Sequence, residues 1–190
     1  RRERGIFDQG QVAPGDLQLL FLGVARQMDD LHAVAQRSRN RIELVRGGDE
    51  DDLGEIELDV ETGAFEIKDY VAVADCGTVI HPQGLATQIK GGAVMGFGLA
   101  TLERHIYDPQ NGLPGAVGLH QAKPASFLDV AHTFTTAAVD QPDPQSPLGT
   151  KGIGEPVMGA GASALLCAIS DALGGHYFNR VPVTRDQIVN

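Results

Sequence analysis

Four glycines, Gly91, Gly92, Gly96 and Gly98, fall inside one apolar stretch that runs from Pro82 to about Leu102. The stretch opens on proline, which suits the first turn of a helix, where a missing N–H is not felt. Glycine in a helix interior costs roughly 1 kcal/mol relative to alanine. Four such residues in one helix ask for another element that approaches closely, which the absence of a Cβ permits. Phe97, Leu99 and Leu102 are the expected buried face of this helix. A second apolar stretch, Val157 to Leu173, is rich in small residues and ends at Gly174-Gly175, a helix-stop signal.

The rest of the chain alternates between helix and strand patterns. Leu17, Leu20, Phe21, Val24, Met28, Leu31 and Ala35 repeat at three- and four-residue steps, which predicts an amphipathic helix from about Pro14 to Arg37 with Asp16 as its N-cap. Met28 on that stripe is core. Gly47-Gly48-Asp49-Glu50-Asp51-Asp52 reads as a linker. Ile56, Leu58 and Val60 alternate with acids, Thr62-Gly63 supplies a turn, and Phe65 to Ala74 continues as the second strand of a hairpin. Further strands are expected at Glu103–Tyr107, Ala116–Leu119 and Val130–Val139, with a turn at residues 108–112. This order gives an α+β fold, divided into an N-terminal segment over residues 1–46, an acidic linker over 47–54 and a main domain over 55–190.

Charge narrows the function classes. The net charge is −10, and residues 47–69 carry ten acids against one Lys, whereas residues 1–46 are weakly basic. A nucleic-acid partner would want a basic face, so none is expected. The acidic block reads as a solvated edge. No apolar run reaches the roughly 18–20 residues that span a bilayer. Two cysteines, Cys76 and Cys167, lie too far apart for a zinc or iron–sulfur motif and point to a reducing compartment. The chain begins Arg1-Arg2-Glu3-Arg4, without an initiator Met or a signal-peptide pattern, and reads as processed, truncated or part of something longer.

The segment Gly149-Thr150-Lys151-Gly152-Ile153-Gly154-Glu155-Pro156 carries the most chemistry. It sets one carboxylate at the end of a glycine loop, directly before a helix whose N-terminus favours negative charge. That arrangement suits a general base, and it equally suits an ordinary helix-starting Glu. Other constellations fail. Gly159-Ala160-Gly161-Ala162-Ser163-Ala164 follows a loop and lacks the acidic residue of a dinucleotide fingerprint, so close helix packing explains it better. No P-loop, no nucleophile elbow and no metal-ligand spacing among the six histidines is present. His81 precedes Pro82 and is read as surface or structural, with a pocket-facing role as the alternative. Glu155 with its loop, and the glycine-rich helix carrying Gln88, remain as candidates.

Together these pieces resemble the C-terminal part of the molybdopterin-binding large subunit of the molybdenum hydroxylases, the family of xanthine dehydrogenase, aldehyde oxidoreductase and carbon monoxide dehydrogenase. Residues 57–63 resemble the family's "V-D-x-x-T-G" hairpin, and Val71 to Gly77 its "D-x-G" strand end. Residues 88–100 are similar to "Q-x-x-G-x-x-x-Q-G-x-G-x-A", and Leu148–Pro156 to "G-x-K-G-x-G-E-P". Pro182-Val183-Thr184 is similar to the closing "P-x-T". The resemblance covers roughly residues 55–190. Met95 stands where the pattern often has Gln, His81 where Asn is usual, and Gln121 to Asp129 replace a Tyr-containing strand near substrate access.

The resemblance implies a portion of a molybdopterin-binding domain that is incomplete without partner chains. It implies a molybdenum–molybdopterin cofactor, in the cytosine dinucleotide form, with the metal held by the pterin so that no side chain of this chain is a metal ligand. Gln88, Lys151, Gly152, Ile153 and Gly154 would contact the cofactor. Glu155 matches the family's base, a buried carboxylate in a dry pocket, for hydroxylating a carbon centre of an aldehyde, purine or N-heterocycle with water as oxygen source. Expected partners are the remainder of the subunit, a [2Fe–2S] subunit and a flavin (FAD) or cytochrome (heme) subunit, besides a small-molecule substrate. The expected compartment is the cytoplasm, or the periplasm where a partner carries the export signal. The alternatives are a non-catalytic assembly piece that completes a partner's fold, and a reductase on the same scaffold.

Overall fold

The computed structural model describes residues 42–47, 50–139 and 141–189. The helix expected over Pro14–Arg37, with Asp16 and Met28, lies outside the described residues. Strands β1 (Ile42–Gly47), β2 (Glu50–Leu58), β3 (Phe65–Asp75) and β4 (Thr133–Val139) form one sheet in that order. The first three pair antiparallel and β4 joins β3 in parallel. The parallel pair needs a long crossover, and helix α1 (Pro82–Thr101) lies within it. Helix α3 (Pro156–Ala172) follows β4, a single turn α2 (Leu119–Ala122) precedes β4, and a short α4 (Arg185–Val189) ends the described chain.

The hairpin stands where the sequence sets it. Asp59 caps its turn by accepting from the Glu61 amide at 2.9 Å and the Thr62 hydroxyl at 2.8 Å, and Gly63 takes φ +68°. The strand on its first side begins earlier than expected. Residues 50–54, read from their acids as part of a linker, belong to β2, and β1 extends the sheet beyond them. The reason is tertiary: Asp52 is fully buried, and its Oδ2 accepts from the Tyr70 hydroxyl at 2.7 Å. Ile67 and Tyr70 are three residues apart, so strict alternation would send them to opposite faces. One extra residue on β3, at the register shift opposite Glu55/Ile56, turns both inward.

Helices α1 and α3 pack on each other and against one face of the sheet. The α1–α3 seam is where the glycines act. A Cβ on Gly92 would run into the Val157 side chain, one on Gly96 into the Met158 carbonyl, and one on Gly161 would sit 2.9 Å from Ala93 Cα. Ile89, Ala93, Phe97 and Ala100 from α1 meet Val157, Ala164, Leu165, Ala168 and Ile169 from α3 in the core. Burying each large apolar side chain stabilises the fold by about 1.5–3 kcal/mol. Tyr70 crosses Phe97 edge-on, with ring centroids 4.8 Å apart, and leans on Phe134 at 5.1 Å. Val183 is buried, and its amide donates to the Ala100 carbonyl at 2.8 Å, tying the final segment to the end of α1.

Three sequence expectations change. Leu99 is exposed on α1, not core, and Leu102 is only half-buried. Glu103–Tyr107 and Ala116–Leu119 do not form strands. A single bridge, Tyr107 to Pro114, closes the Asp108–Gly112 turn, because no neighbouring strand offers a ladder. The strand expected from Val130 begins at Thr133.

Candidate functional site

The glycine loop is sewn to the end of β3. The Thr78 amide donates to the Gly149 carbonyl and the Lys151 amide to the Cys76 carbonyl, both at 2.7 Å. Gly77 has φ +66°, and a Cβ there would strike the Gly149 carbonyl, so the close approach of the two segments needs glycine. Asp75, the last residue of β3, accepts from the Gly77 amide at 2.9 Å and from Lys151 Nζ at 2.6 Å. Partial burial opposes its charge, but the Lys151 ammonium and the Gly77 amide outweigh this and hold its carboxyl below the usual Asp range.

Beyond Lys151 the loop has an open side, with Ile153 half-buried against the core. Added Cβ atoms on Gly152 and Gly154 would meet nothing within 4 Å. The amides of Gly152, Ile153, Gly154 and Glu155 find no acceptor among the described residues. The loop's far end is held from α1, where Gln88 Nε2 donates to the Gly154 carbonyl at 2.5 Å. Glu155 then occupies the N-cap of α3, with Pro156 in the first turn and no hydrogen bond from the Glu155 side chain to the helix. Its side chain is exposed.

An open groove of about 490 Å³ runs between the start of α1 and this loop. Gln88, Lys151, Ile153 and Gly154 line it, together with Cys76, Thr78, His81, Leu85 and Thr150. His81 is the N-cap of α1, its Nδ1 accepting from the Gly84 amide at 2.7 Å, so the structural and pocket-facing readings of this residue both hold. Neither α1 nor α3 has an acidic residue in its first turn. The groove therefore lies near the N-terminus of α1, which carries no acidic residue, and near loop amides that find no acceptor among the described residues. Glu155 caps α3 and Asp75 pairs with the Lys151 ammonium, so the donors left over suit an acceptor-rich ligand.

The structure thus brings Gln88, Lys151, Ile153 and Gly154 to one groove, with Gly152 and Glu155 on the same loop. It corrects one expectation: among the described residues Glu155 is an exposed carboxylate, not one enclosed in a dry pocket, because the loop lies beyond the end of β3 with its glycines bordering open space. Asp75 is the residue that sequence reasoning passed over. Its signal is the "D-x-G" strand end, but its partner Lys151 lies 76 residues on. Among the described residues, no group of three or more His, Cys, Asp or Glu side chains could hold a metal ion, and no helix is long and apolar enough to cross a membrane. Cys76 is buried and Cys167 half-buried.

Residues 52–131 match the molybdopterin cofactor-binding domain. The chain is 32% identical over 136 residues to the nicotine 6-hydroxylase large subunit of Paenarthrobacter nicotinovorans, covering 70% of this chain and 16% of that protein. It is 31% identical over 127 residues to the carbon monoxide dehydrogenase large chain of Afipia carboxidovorans, covering 62% and 14%. Among solved structures, quinoline 2-oxidoreductase from Pseudomonas putida 86 superposes with a TM-score of 0.67 at 33% identity, over 73% of this chain and 18% of that one. The aldehyde oxidoreductase of Desulfovibrio gigas gives 0.64 at 25% identity, over 74% and 15%. The chain belongs to the molybdenum hydroxylase family and corresponds to part of its large subunit. It spans about a sixth of the length of the relatives it matches.

Proposed function

We propose that this chain forms the base-bearing wall of a molybdenum hydroxylase site, in which Glu155 takes a proton as a C–H bond and water become C–OH, two protons and two electrons. The observation that supports this reading most directly is the placement of Glu155. Its carboxylate stands at the N-cap of a 17-residue helix, at the end of a loop fixed at both sides, and makes no bond to the helix itself. A proton acceptor needs a free carboxylate in a fixed position.

The residues fit a molybdopterin. Gly152 and Gly154 offer backbone without a Cβ, four loop amides find no acceptor among the described residues, and Gln88 has a carboxamide oxygen left after bonding Gly154. The amides would donate to the acceptor-rich edge of the pterin and its phosphate, which we take to be in the cytosine dinucleotide form. The Gln88 oxygen would accept from a pterin N–H, and Lys151, paired with Asp75, would line the cofactor's groove. When bound, the molybdenum centre supplies the two-electron redox step, and the electrons leave through [2Fe–2S] clusters and FAD or heme on partner subunits. The side chains of this chain orient the cofactor, keep the loop in place and move the proton at the Glu155 carboxylate. The remainder of the large subunit would cover the Glu155 end of the groove and exclude water, which raises the proton affinity of a carboxylate. Ile80, Val117, Leu119, Phe127 and Leu128 are more than 60% exposed here and are the apolar surface such a covering would bury. The substrate we assign is an aldehyde or an N-heterocycle of the purine type. We place the complex in the cytoplasm, or in the periplasm if a partner carries it there.

The test is Glu155→Gln in the full subunit, purified with its partners. The expected outcome is a full molybdenum and pterin content with turnover lower by about 10²–10⁴-fold, the range a positioned general base contributes. A variant that keeps more than a tenth of the activity would remove Glu155 from the role. Wild-type complex without molybdenum would instead favour an assembly piece, and turnover only in the reducing direction a reductase.

A further inference from the structure

Gln88 and Lys151 enter the groove from different elements, α1 and the glycine loop, yet the polar head of each is engaged with the protein itself. Lys151 Nζ lies 2.6 Å from Asp75 Oδ2 at the end of β3, and Gln88 Nε2 lies 2.5 Å from the Gly154 carbonyl. The two contacts bracket residues 152–154. Between them only Ile153, half-buried against the core, touches the body of the protein; Gly152 and Gly154 have open space around them, and four amides find no acceptor among the described residues. A segment so poor in contacts is held by its anchors. Backbone bonds from Thr78 and Lys151 secure the near end, and the start of α3 secures the far end. The two side-chain bonds add a polar hold at each end of the segment that Ile153 seats on the core.

We infer that the Asp75–Lys151 ion pair and the Gln88–Gly154 hydrogen bond form a two-point clip whose task is to set the glycine loop, and through it the Glu155 carboxylate, relative to the ligand in the groove. This rests on the base role proposed for Glu155. Asp75, Lys151 and Gln88 are positioning residues in this account. The ion pair is partly buried, with side-chain exposures of 32% for Lys151 and 21% for Asp75, so water screens it less than a surface pair. Its Asp oxygens are both used, one on Lys151 and one on the Gly77 amide, which fixes the carboxylate plane. The Gln88 bond is directional in a way that exposes it to test. The carboxamide nitrogen donates to a carbonyl, and a carboxylate in its place could not.

The experiment uses the complete cofactor-loaded complex and three readouts: molybdenum and pterin content, kcat per bound molybdenum with KM, and the melting temperature. Gln88→Glu keeps the side-chain shape and removes the donor. Lys151→Met and Asp75→Asn each break the ion pair. Each is expected to keep cofactor content near wild type and to lower kcat per molybdenum by ~10–100-fold, because a shift of about 1 Å in a catalytic group can cost 10²-fold. Lys151→Arg is expected to recover most of that loss by re-forming the pair with Asp75. The Asp75→Asn, Lys151→Met double variant is expected to fall no further than the worse single one, since both remove the same contact. Lys151→Met or Gln88→Glu complexes that lose cofactor while the remaining molecules turn over normally would overturn the clip and leave cofactor contact as the only role of these side chains. Additive losses at Asp75 and Lys151, or unchanged kcat, would also overturn it. If Glu155→Gln is inactive while the clip variants turn over normally, the inference fails and the base reading stands. If Glu155→Gln itself stays active, the base reading has failed.

Discussion

Glycine is used for opposite reasons in two regions of this molecule. In the α1–α3 seam, Gly92, Gly96 and Gly161 are glycine because the neighbouring helix occupies the space of a Cβ. In the loop before α3, Gly152 and Gly154 border space that nothing described fills. The first set is explained entirely by this chain's own packing. The second is not, and a ligand that comes close to the backbone is the explanation we propose. The contrast separates residues that build the fold from residues that await a partner.

Substitutions at the two sets should behave oppositely. Gly96→Val, the harshest, puts branched carbon against the Met158 carbonyl and the Ala162 amide, and is expected to destabilise by at least the ~1–3 kcal/mol of an overpacked core. Thermal unfolding of the complex measures it, and an unchanged melting temperature would mean that the seam is looser than the geometry requires. Leu165→Ala, from the same seam's core, should cost about 2–5 kcal/mol by the same measurement. Gly154→Ala should leave the melting temperature unchanged or slightly raised, since the backbone there is not left-handed and alanine lowers the entropy of the unfolded chain by ~0.4–1 kcal/mol. Its expected effect is on molybdenum and pterin content, which should fall. A Gly154→Ala complex with full cofactor would show that the open side of the loop is not the ligand side.

The smallest effects lie on the sheet, away from the groove. Glu55 and Asp69 face each other across β2 and β3, and both carboxyls are pushed up, Asp69 by burial and Glu55 by burial with the Asp69 charge adding to it. A carboxyl whose folded affinity for protons is raised contributes stability below its unfolded pKa and loses it as pH rises through the folded value. Asp69→Asn should therefore raise the melting temperature slightly at neutral pH and make no difference in acid. Asp75 has the opposite sign. Its lowered carboxyl contributes stability at neutral pH that is lost as pH falls through its folded value, so Asp75→Asn should be costly near neutrality and neutral in strong acid.

Much of this was legible in residues whose effect is local. Pro82 and Pro156 mark the starts of α1 and α3 at the residue, and Gly174-Gly175, both with positive φ, stop α3 where expected. Thr62-Gly63 fixes the hairpin turn, and the Gly149–Pro156 segment announces a loop feeding a helix N-terminus. These depend on backbone freedom within a few residues, which the chain states for itself.

What the chain could not state are choices made between distant segments. Glu50 to Gly54 look like a linker until Tyr70 supplies a hydroxyl to Asp52 across the sheet. Glu103 to Tyr107 look like a strand, but among the described residues their pairing is limited to the isolated Tyr107–Pro114 bridge. Lys151 and Gln88 stand out in the sequence as candidate groove residues, but the groups that accept from them, Asp75 and the Gly154 carbonyl, lie 76 and 66 residues away. Sequence alone determined which segments bend, start and stop, because those follow from covalent geometry at each residue. Tertiary structure alone decided which polar groups meet, because a hydrogen bond or ion pair depends on distances of about 3 Å that only the packed chain sets.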